Sequence, residues 1–275
     1  MKDYNETALD SAGAISRHSW LQSKKVVVAD LDGTLAPSKS RISNDVAAAI
    51  NEFLKSKKLV VISGGRYVQF GRQLLEGISK DPELLKNLYL FPTNAACMYI
   101  FTDGSWEMVY KERLKADEKS NIFDAFDKAL GLSGYERPKM SYGEIIEDRE
   151  TQITFSALGN DAPLEEKRLW DPDQKKRLLI RDNLLKLAPE FEIRIGGTTS
   201  IDVTRKGIDK AYGIEKISEM LNTSVKEMLF IGDALFEGGN DYAVRKTDID
   251  CLQVSNPGET AEILRAATTH KERAR

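Results

Sequence analysis

The sequence predicts a doubly wound α/β domain built on a parallel sheet and interrupted by an inserted α+β module, on three observations. Short apolar runs alternate with segments whose apolar positions recur at helical spacing, the rhythm of a parallel sheet with crossover helices. Three of those runs end abruptly in carboxylates, hydroxyls and glycines, as strands do when they deliver side chains to the carboxyl edge of such a sheet. The alternation breaks near Thr93 and resumes near residue 199, with a different texture between.

Val26, Val27 and Val28 form an uninterrupted β-branched run, as in a strand covered on both faces, and predict the first strand. Ser43 caps a helix whose core face is Val46, Ile50, Phe53 and Leu54, and Leu59 to Ile62 gives the second strand. Val68, Leu74, Leu75 and Ile78 predict another helix before a third strand, Leu88 to Phe91. Residues 95–198 read as a separate module with an antiparallel sheet. It holds a hairpin about the turn Thr102-Asp103-Gly104, with Cys97 to Phe101 and Trp106 to Tyr110 as its strands. Helices about Ala116 to Leu130 and Asp173 to Leu187 interleave with strands at Thr151 to Ala157 and Phe191 to Ile195. A helix from Asp209 to Leu221, then strands Met228 to Ile231 and Cys251 to Val254, return to the parallel rhythm. The expected division is a polar extension over 1–23, a core domain over 24–94 and 199–275, and an inserted module over 95–198. Two segments cross into that module, so it can hinge over the strand ends.

A chain of 275 residues, 41% hydrophobic and 30% charged, can bury a sizeable core. A net charge of -3 and a pI near 5.7 argue against general affinity for nucleic acid or an anionic membrane and leave a small molecule as the expected partner. The longest apolar runs are too short to span a bilayer and residues 1–23 lack the apolar centre of a signal peptide, so a soluble, cytoplasmic protein is expected. Cys97 and Cys251 lie in apolar, strand-like contexts and are expected to be reduced and buried. His18 and His270 both stand near polar termini, which removes a histidine base for a Ser or Cys nucleophile and a His-rich zinc site. Chemistry falls to carboxylates, lysine and hydroxyls.

Asp30 and Asp32, two apart in an extended segment, project the same way, while Gly33 lets the backbone turn and Thr34 offers a hydroxyl and an amide. Two acids so close repel unless something cationic joins them, and a hard divalent cation with a phosphoryl group fits that need. Ser63-Gly64-Gly65 supplies a hydroxyl and two flexible amides suited to phosphate oxygens. Lys206-Gly-Ile-Asp-Lys210 opens a helix with a cation, and Gly232-Asp233 through Asn240-Asp241 puts more carboxylates at a strand end. Taken singly, Lys210 reads as a solvated lysine, Ser63 as an N-cap and the acidic loop as a turn. Their joint placement at strand and helix ends points to phosphoryl transfer. In that reading Asp30 attacks phosphorus, and Mg²⁺ is held by Asp30, Asp233 and the backbone carbonyl of Asp32. Lys210, Ser63, Gly64 and Thr34 receive the other phosphoryl oxygens. Asp32 protonates the departing alkoxide and later takes a proton from water, and Asn240 and Asp241 orient the metal's ligands. Arg66 is open to a phosphate contact or a surface ion pair.

These residues resemble the four motifs of the haloacid dehalogenase superfamily of phosphotransferases: Asp30-Leu-Asp-Gly-Thr34, Ser63, Lys210, and Gly232-Asp233 with Asn240-Asp241. The resemblance implies a Rossmann-like core and reads the inserted module as that superfamily's α/β cap. Gly196-Gly-Thr-Thr-Ser-Ile-Asp-Val203 and the long loop ending Gly-Gly-Asn-Asp241 look like the eukaryotic-type phosphomannomutase branch. That branch implies cap contacts to substrate from Arg149, and from Ser200 and Asp202 near the hinge. A homodimer formed through the cap is a further expectation.

A mutase must grip two phosphates, and its cap usually carries several arginines. Here Arg149 remains, Tyr142 and Asn160 stand near the expected places of two others, and Arg137, Lys139 and Arg168 are the available substitutes. The sequence therefore predicts a Mg²⁺-dependent phosphatase of a phosphorylated sugar or similar small metabolite, with a phosphohexomutase as the alternative. A phosphorylatable receiver module is the non-enzymatic reading, disfavoured by the chain's length and its inserted module. Trp106 and Trp170 are expected in the core of the inserted module rather than as sugar platforms.

Overall fold

The computed structural model describes residues 18–268; of the polar extension expected over 1–23, residues 18–23 are helical and the rest lies outside the described residues. The first half of the chain forms β1 (Val26–Asp30), α1 (Asn44–Leu54), β2 (Lys58–Ile62), β3 (Leu88–Phe91), β4 (Cys97–Thr102), β5 (Ser105–Lys111) and α2 (Ala116–Leu132). It continues through β6 (Ile146–Asp148), β7 (Gln152–Ser156), α3 (Lys175–Leu187), β8 (Phe191–Gly196) and β9 (Ser200–Arg205). The chain then forms α4 (Lys210–Leu221), β10 (Met228–Gly232), β11 (Asp250–Gln253) and α5 (Pro257–Thr268), with short helical turns between the main elements.

The core is a seven-stranded sheet in the order β11-β10-β1-β2-β3-β4-β5, parallel across its first five strands. β1 lies between β10 and β2, with Val28 beside Phe230 on one side and Val60 on the other. Alternate residues of the parallel strands enter two separate apolar layers. Val27, Ala29, Val61 and Ile231 pack under α1 and α5 through Ile50, Phe53 and Leu264, whereas Val26, Val28, Val60 and Phe230 pack under α4 through Ile214 and Ile217. Both faces are thus covered, which is why the strands read as unbroken apolar runs rather than alternating ones.

The second sheet is antiparallel, in the order β6-β7-β9-β8. Its apolar face, with Ile153, Phe155, Ile193, Ile201 and Val203, packs on Ile122 and Phe126 of α2 and on Ile180 and Leu184 of α3. The other face carries Gln152, Thr154, Ser156, Ser200 and Asp202, all buried. A polar face that is buried without helices over it must meet something else, and it meets the carboxyl edge of the core sheet. Asn94 donates to Gln152 at 3.1 Å, Thr151 to Thr93 at 2.9 Å, and Arg149 to the carbonyl of Gly64 at 3.1 Å.

Two boundaries differ from the sequence expectation. The hairpin β4-β5 joins the core sheet, not the inserted one, with β4 antiparallel to β3. The change of texture at Thr93 marks a reversal of the chain: Thr93, Asn94 and Ala95 have φ of 51°, 54° and 70° and turn it back along β3. Trp106 accordingly packs against the core layer beside Phe101, while Trp170 lies on the cap's apolar layer as expected. At the other end β9 belongs to the inserted sheet, so that module extends past residue 199 to Arg205. Cys97 is buried and Cys251 half-buried, both as free thiols. No described helix is long and apolar enough to cross a membrane.

Candidate active site

β1 ends in Asp30, which is 1% exposed. The buried first residue of α4, Lys210, donates from Nζ to Asp30 and to Asp241. Its position follows from the helix start: Asp209 caps α4, accepting from the amides of Ala211 at 2.9 Å and Tyr212 at 3.2 Å. Asp241 is fully buried, and its second oxygen accepts from the Ala234 amide at 3.1 Å. One carboxylate oxygen each from Asp30, Asp233 and Asp241 lies within 4.8 Å of the others. Asp30 Oδ2 has no hydrogen-bond partner although it is buried. Three acids with one ammonium between them, all hard oxygen donors and one left bare, fit a divalent cation of the magnesium type.

The electrostatics express the same imbalance. Burial pushes the Asp30 carboxyl well above the usual range; Lys210 opposes the shift, and Asp241 and Asp233 add to it. Asp233 is raised by its own burial and by Asp241. Burial works against the Lys210 charge, yet Asp241 and Asp30 outweigh it and hold the ammonium above the ordinary lysine range. Gly33 closes the site: its φ is +87°, and a Cβ there would stand 2.3 Å from Asp233 Oδ2. An l-side chain at 33 would therefore be strained and would displace a carboxylate of the cluster.

These groups open into a cavity of about 340 Å³ between the two sheets, a size suited to a metabolite. Asp32 and Ser63 line it beside Asp30, as expected from the sequence. Asp32 Oδ1 accepts from the Lys39 amide at 2.6 Å and from Gln73 at 3.1 Å, which fixes the carboxylate. Ser63 Oγ accepts from the Gly65 amide at 3.1 Å. Gly64 also lines the cavity, at the point where the two sheets meet, and a Cβ on it would stand 3.0 Å from Asp202 Oδ2. Asn240 lines the cavity on the loop after β10, and Asp241 sits deeper, in the carboxylate cluster itself. Thr34 departs from the expectation of a substrate contact. It is fully buried, is absent from the cavity wall, and turns its hydroxyl to Asp233 Oδ1 at 3.5 Å, because the chain doubles back immediately after Gly33.

On the opposite wall Arg149, Ser200 and Asp202 all line the cavity. Arg149 is engaged: it donates to Glu147 at 2.8 Å, to Gly64 O at 3.1 Å and to Asn160 at 3.3 Å. Arg66 pairs with the other oxygen of Glu147 at 2.9 Å, the ion-pair reading of that residue. Ser200 shares a hydrogen bond with Ser156 at 3.2 Å, and Asp202 accepts from Thr154 at 2.8 Å. Neither Arg137, Lys139 nor Arg168 lines the cavity; Arg168 pairs with Glu165 at the surface. Sequence reasoning missed Lys39, Asn94, Thr154 and Arg194, all in the wall. Thr154 was legible as the polar partner of Ile153 and Phe155 in an alternating strand. Asn94 follows a strand end by the same rule that found Ser63.

Burial raises the Asp202 carboxyl, with Arg149 and Thr154 opposing the shift. The native state therefore keeps this proton at pH values where the unfolded chain has lost it, and stability falls as pH rises above the unfolded carboxylate value of about 4. Asp202→Asn removes that loss. Thermal melts of the variant are expected to show a Tm at neutral pH equal to or above the parent's and a flatter profile as pH rises from about 4. A large fall in Tm at neutral pH contradicts this.

The chain matches curated relatives over most of their length. The chain is 26% identical to the phosphomannomutase of Encephalitozoon cuniculi over 247 residues, 86% of this chain and 91% of the relative. It is 28% identical to the phosphomannomutase of Saccharomyces cerevisiae over 246 residues, 87% of this chain and 92% of the relative. Among solved structures, an N-terminally truncated Plasmodium falciparum IMP-nucleotidase superposes with a TM-score of 0.70 at 19% identity, over 90% of this chain and 71% of that one, a likeness of fold. The model of one family matches residues 27–243, from β1 past the buried Asp241 and through the inserted sheet, and by that match the chain belongs to the haloacid dehalogenase-like hydrolases.

Proposed function

We propose that this chain is a Mg²⁺-dependent phosphatase that releases phosphate from a phosphorylated sugar or similar small polyol. The observation that carries the reading is Asp30. It is buried, pinned through one oxygen by Lys210 and bare at the other, and faces a small cavity whose far wall is hydroxyls, amides and paired charges. Asp30 attacks phosphorus, the bond to the alkoxy oxygen breaks, and Asp32 gives that oxygen a proton. Water then attacks the aspartyl-phosphate, passing its proton to Asp32 as the phosphorus–Asp30 bond breaks. Lys210 and the Ser63 segment hold the phosphoryl oxygens through this exchange. Asp30, Asp233 and the carbonyl of Asp32 would hold Mg²⁺, which when bound supplies charge neutralisation for the phosphoryl group. Asp241 backs the cluster by holding Lys210 in place.

Hydrolysis is favoured over mutase chemistry by the charge of the cap wall. A mutase needs free cations there for a second phosphate. Arg149 is paired with Glu147 at 2.8 Å, and Arg194 with Asp209 at 2.8 Å and Glu192 at 2.9 Å, while Asp202 adds a carboxylate between them. The likeness in sequence to phosphomannomutases over most of the chain favours the second reading, a phosphohexomutase using the same nucleophile. Incubation with mannose 1-phosphate, Mg²⁺ and a catalytic amount of a hexose bisphosphate separates the two. Release of inorganic phosphate supports the phosphatase; rapid isomerisation with little free phosphate supports the mutase and overturns it.

Asp32 gives a test of the acid/base assignment. A sugar alkoxide leaves poorly without a proton, whereas an aryl oxide leaves readily. Asp32→Asn is therefore expected to lower kcat for sugar phosphates by about 10²-fold or more, and to slow formation of the aspartyl-phosphate from p-nitrophenyl phosphate much less. Equal losses in that first step on both substrates contradict the role.

A further inference from the structure

Among the described residues, three buried side-chain polar atoms lack a hydrogen-bond partner: Asp30 Oδ2, Thr199 Oγ1 and Arg194 Nε. Two of those residues line the same cavity from opposite walls. Asp30 belongs to the phosphoryl end. Arg194 stands on β8, on the polar face of the inserted sheet, in register with Asp202 on β9. Its side chain is 17% exposed, so the guanidinium borders the cavity without being free in solvent. Only one nitrogen is engaged: Nη2 donates to Asp209 Oδ2 at 2.8 Å and reaches Glu192 Oε1 at 2.9 Å. Asp209 is itself fixed by capping α4 through its other oxygen, so the guanidinium is anchored on a rigid group. A guanidinium carries five N–H donors, and here the protein supplies acceptors to one nitrogen only.

We propose that Arg194 is a substrate-binding residue for the non-phosphoryl end, where its unengaged donors take a hydroxyl or carbonyl oxygen of the sugar or polyol. The inference rests on the phosphorylated-polyol reading of the site and deepens it. Arg194 extends the wall of Ser200, Asp202, Thr154 and Asn94 with a donor edge, complementing the acceptor carboxylate of Asp202. A hydroxyl, which both donates and accepts, can satisfy the two together. The anchoring carboxylates keep the site from demanding a second phosphate: they balance the charge and leave the geometry of the donors.

The competing role is purely structural, in which Arg194 acts through Asp209 and the start of α4 on Lys210. Binding separates them without requiring turnover. In an Asp30→Asn background with Mg²⁺, calorimetric titrations with inorganic phosphate and with mannose 1-phosphate, mannose 6-phosphate and glucose 6-phosphate are compared before and after Arg194→Lys. The lysine keeps a positive charge within reach of Asp209 but loses the planar set of donors. The expected result is a tenfold or greater weakening of the tightest hexose phosphate, with inorganic phosphate changed less than twofold. Arg194→Gln, which removes the charge and keeps one amide donor, is expected to weaken the same hexose phosphate selectively. Equal weakening of both ligand types assigns Arg194 to the positioning of Lys210 and overturns the proposal. No weakening of either, or a parent that prefers no hexose phosphate over inorganic phosphate, overturns it as well. If hexose phosphates bind selectively through Arg194 but no phosphate is released by the unsubstituted enzyme, the phosphatase reading fails and this inference stands.

Discussion

Asp30→Asn is expected to abolish phosphate release, by at least about 10⁴-fold, without unfolding the protein. An amide oxygen is no nucleophile toward phosphorus, and the neighbouring acids are already engaged: Asp241 binds Lys210 and the Ala234 amide, and Asp233 accepts from the Thr34 hydroxyl. Stability should hold or rise. Asp30 is a buried acid whose carboxyl is raised by burial and by two neighbouring acids, so its charge is costly in the folded state. Asparagine is nearly isosteric, keeps an oxygen for the Lys210 ammonium and removes one of the three charges. Turnover on sugar and aryl phosphates together with a thermal melt checks both halves. Residual turnover near that of the parent removes Asp30 from the mechanism, and a collapse of Tm makes the residue structural.

Lys210→Met carries the opposite signature and is expected to lose both activity and stability. Lys210 is 1% exposed and its ammonium pairs with both Asp30 and Asp241 of the cluster. Removing one partner of a buried ion pair leaves the other uncompensated, a loss of about 3–5 kcal/mol, and here two acids lose their partner at once. For a chain of this size that corresponds to a fall in Tm of about 10 °C or more. Adding Asp241→Asn to Lys210→Met should recover much of the stability, because it relieves the like-charge contact, but none of the activity, because the buried ammonium that holds the phosphoryl oxygens is still missing. A double variant no more stable than the single one contradicts the account of Lys210 as the charge that holds these acids together.

The chemistry of the core was largely legible in the sequence because in a parallel sheet each strand end is also a site. Asp30, Ser63 and Asp233 were found by one rule, that polar residues directly after a doubly buried apolar strand sit at the carboxyl edge. Lys210 was found by its place at a helix start. The rule says where a backbone ends but not where a side chain turns, and so Thr34 was misplaced: the tight turn at Gly33 sends its hydroxyl back to Asp233. The hairpin β4-β5 was recognised as a hairpin and assigned to the wrong sheet, since an antiparallel pattern looks the same whichever sheet it extends. What fixed its partner was the run of left-handed residues from Thr93 to Ala95, a conformation those residue types do not announce.

The cap wall was legible in part through alternation and in part through the family resemblance. Ile153 and Phe155 gave the apolar face of β7 and left Gln152 and Thr154 to the other, whereas β9 was not foreseen as a strand and its Ser200 and Asp202 came from the family resemblance. Whether that face met solvent or the core was a matter of tertiary placement. Arg194 shows the limit most plainly. Between Ile193 and Ile195 it reads as an outward-facing charge of an edge strand, and only the fold turns that side toward Asp30.

In the proposed mechanism phosphorus becomes covalently attached to residue 30 during turnover. Rapid acid quenching of the enzyme during turnover of a ³²P-labelled substrate, followed by peptide mapping, tests it directly. Hydroxylamine-labile label is expected on the peptide containing Asp30, present in Asp32→Asn and absent from Asp30→Asn. Steady turnover with no trapped label, or label that persists in Asp30→Asn, contradicts it.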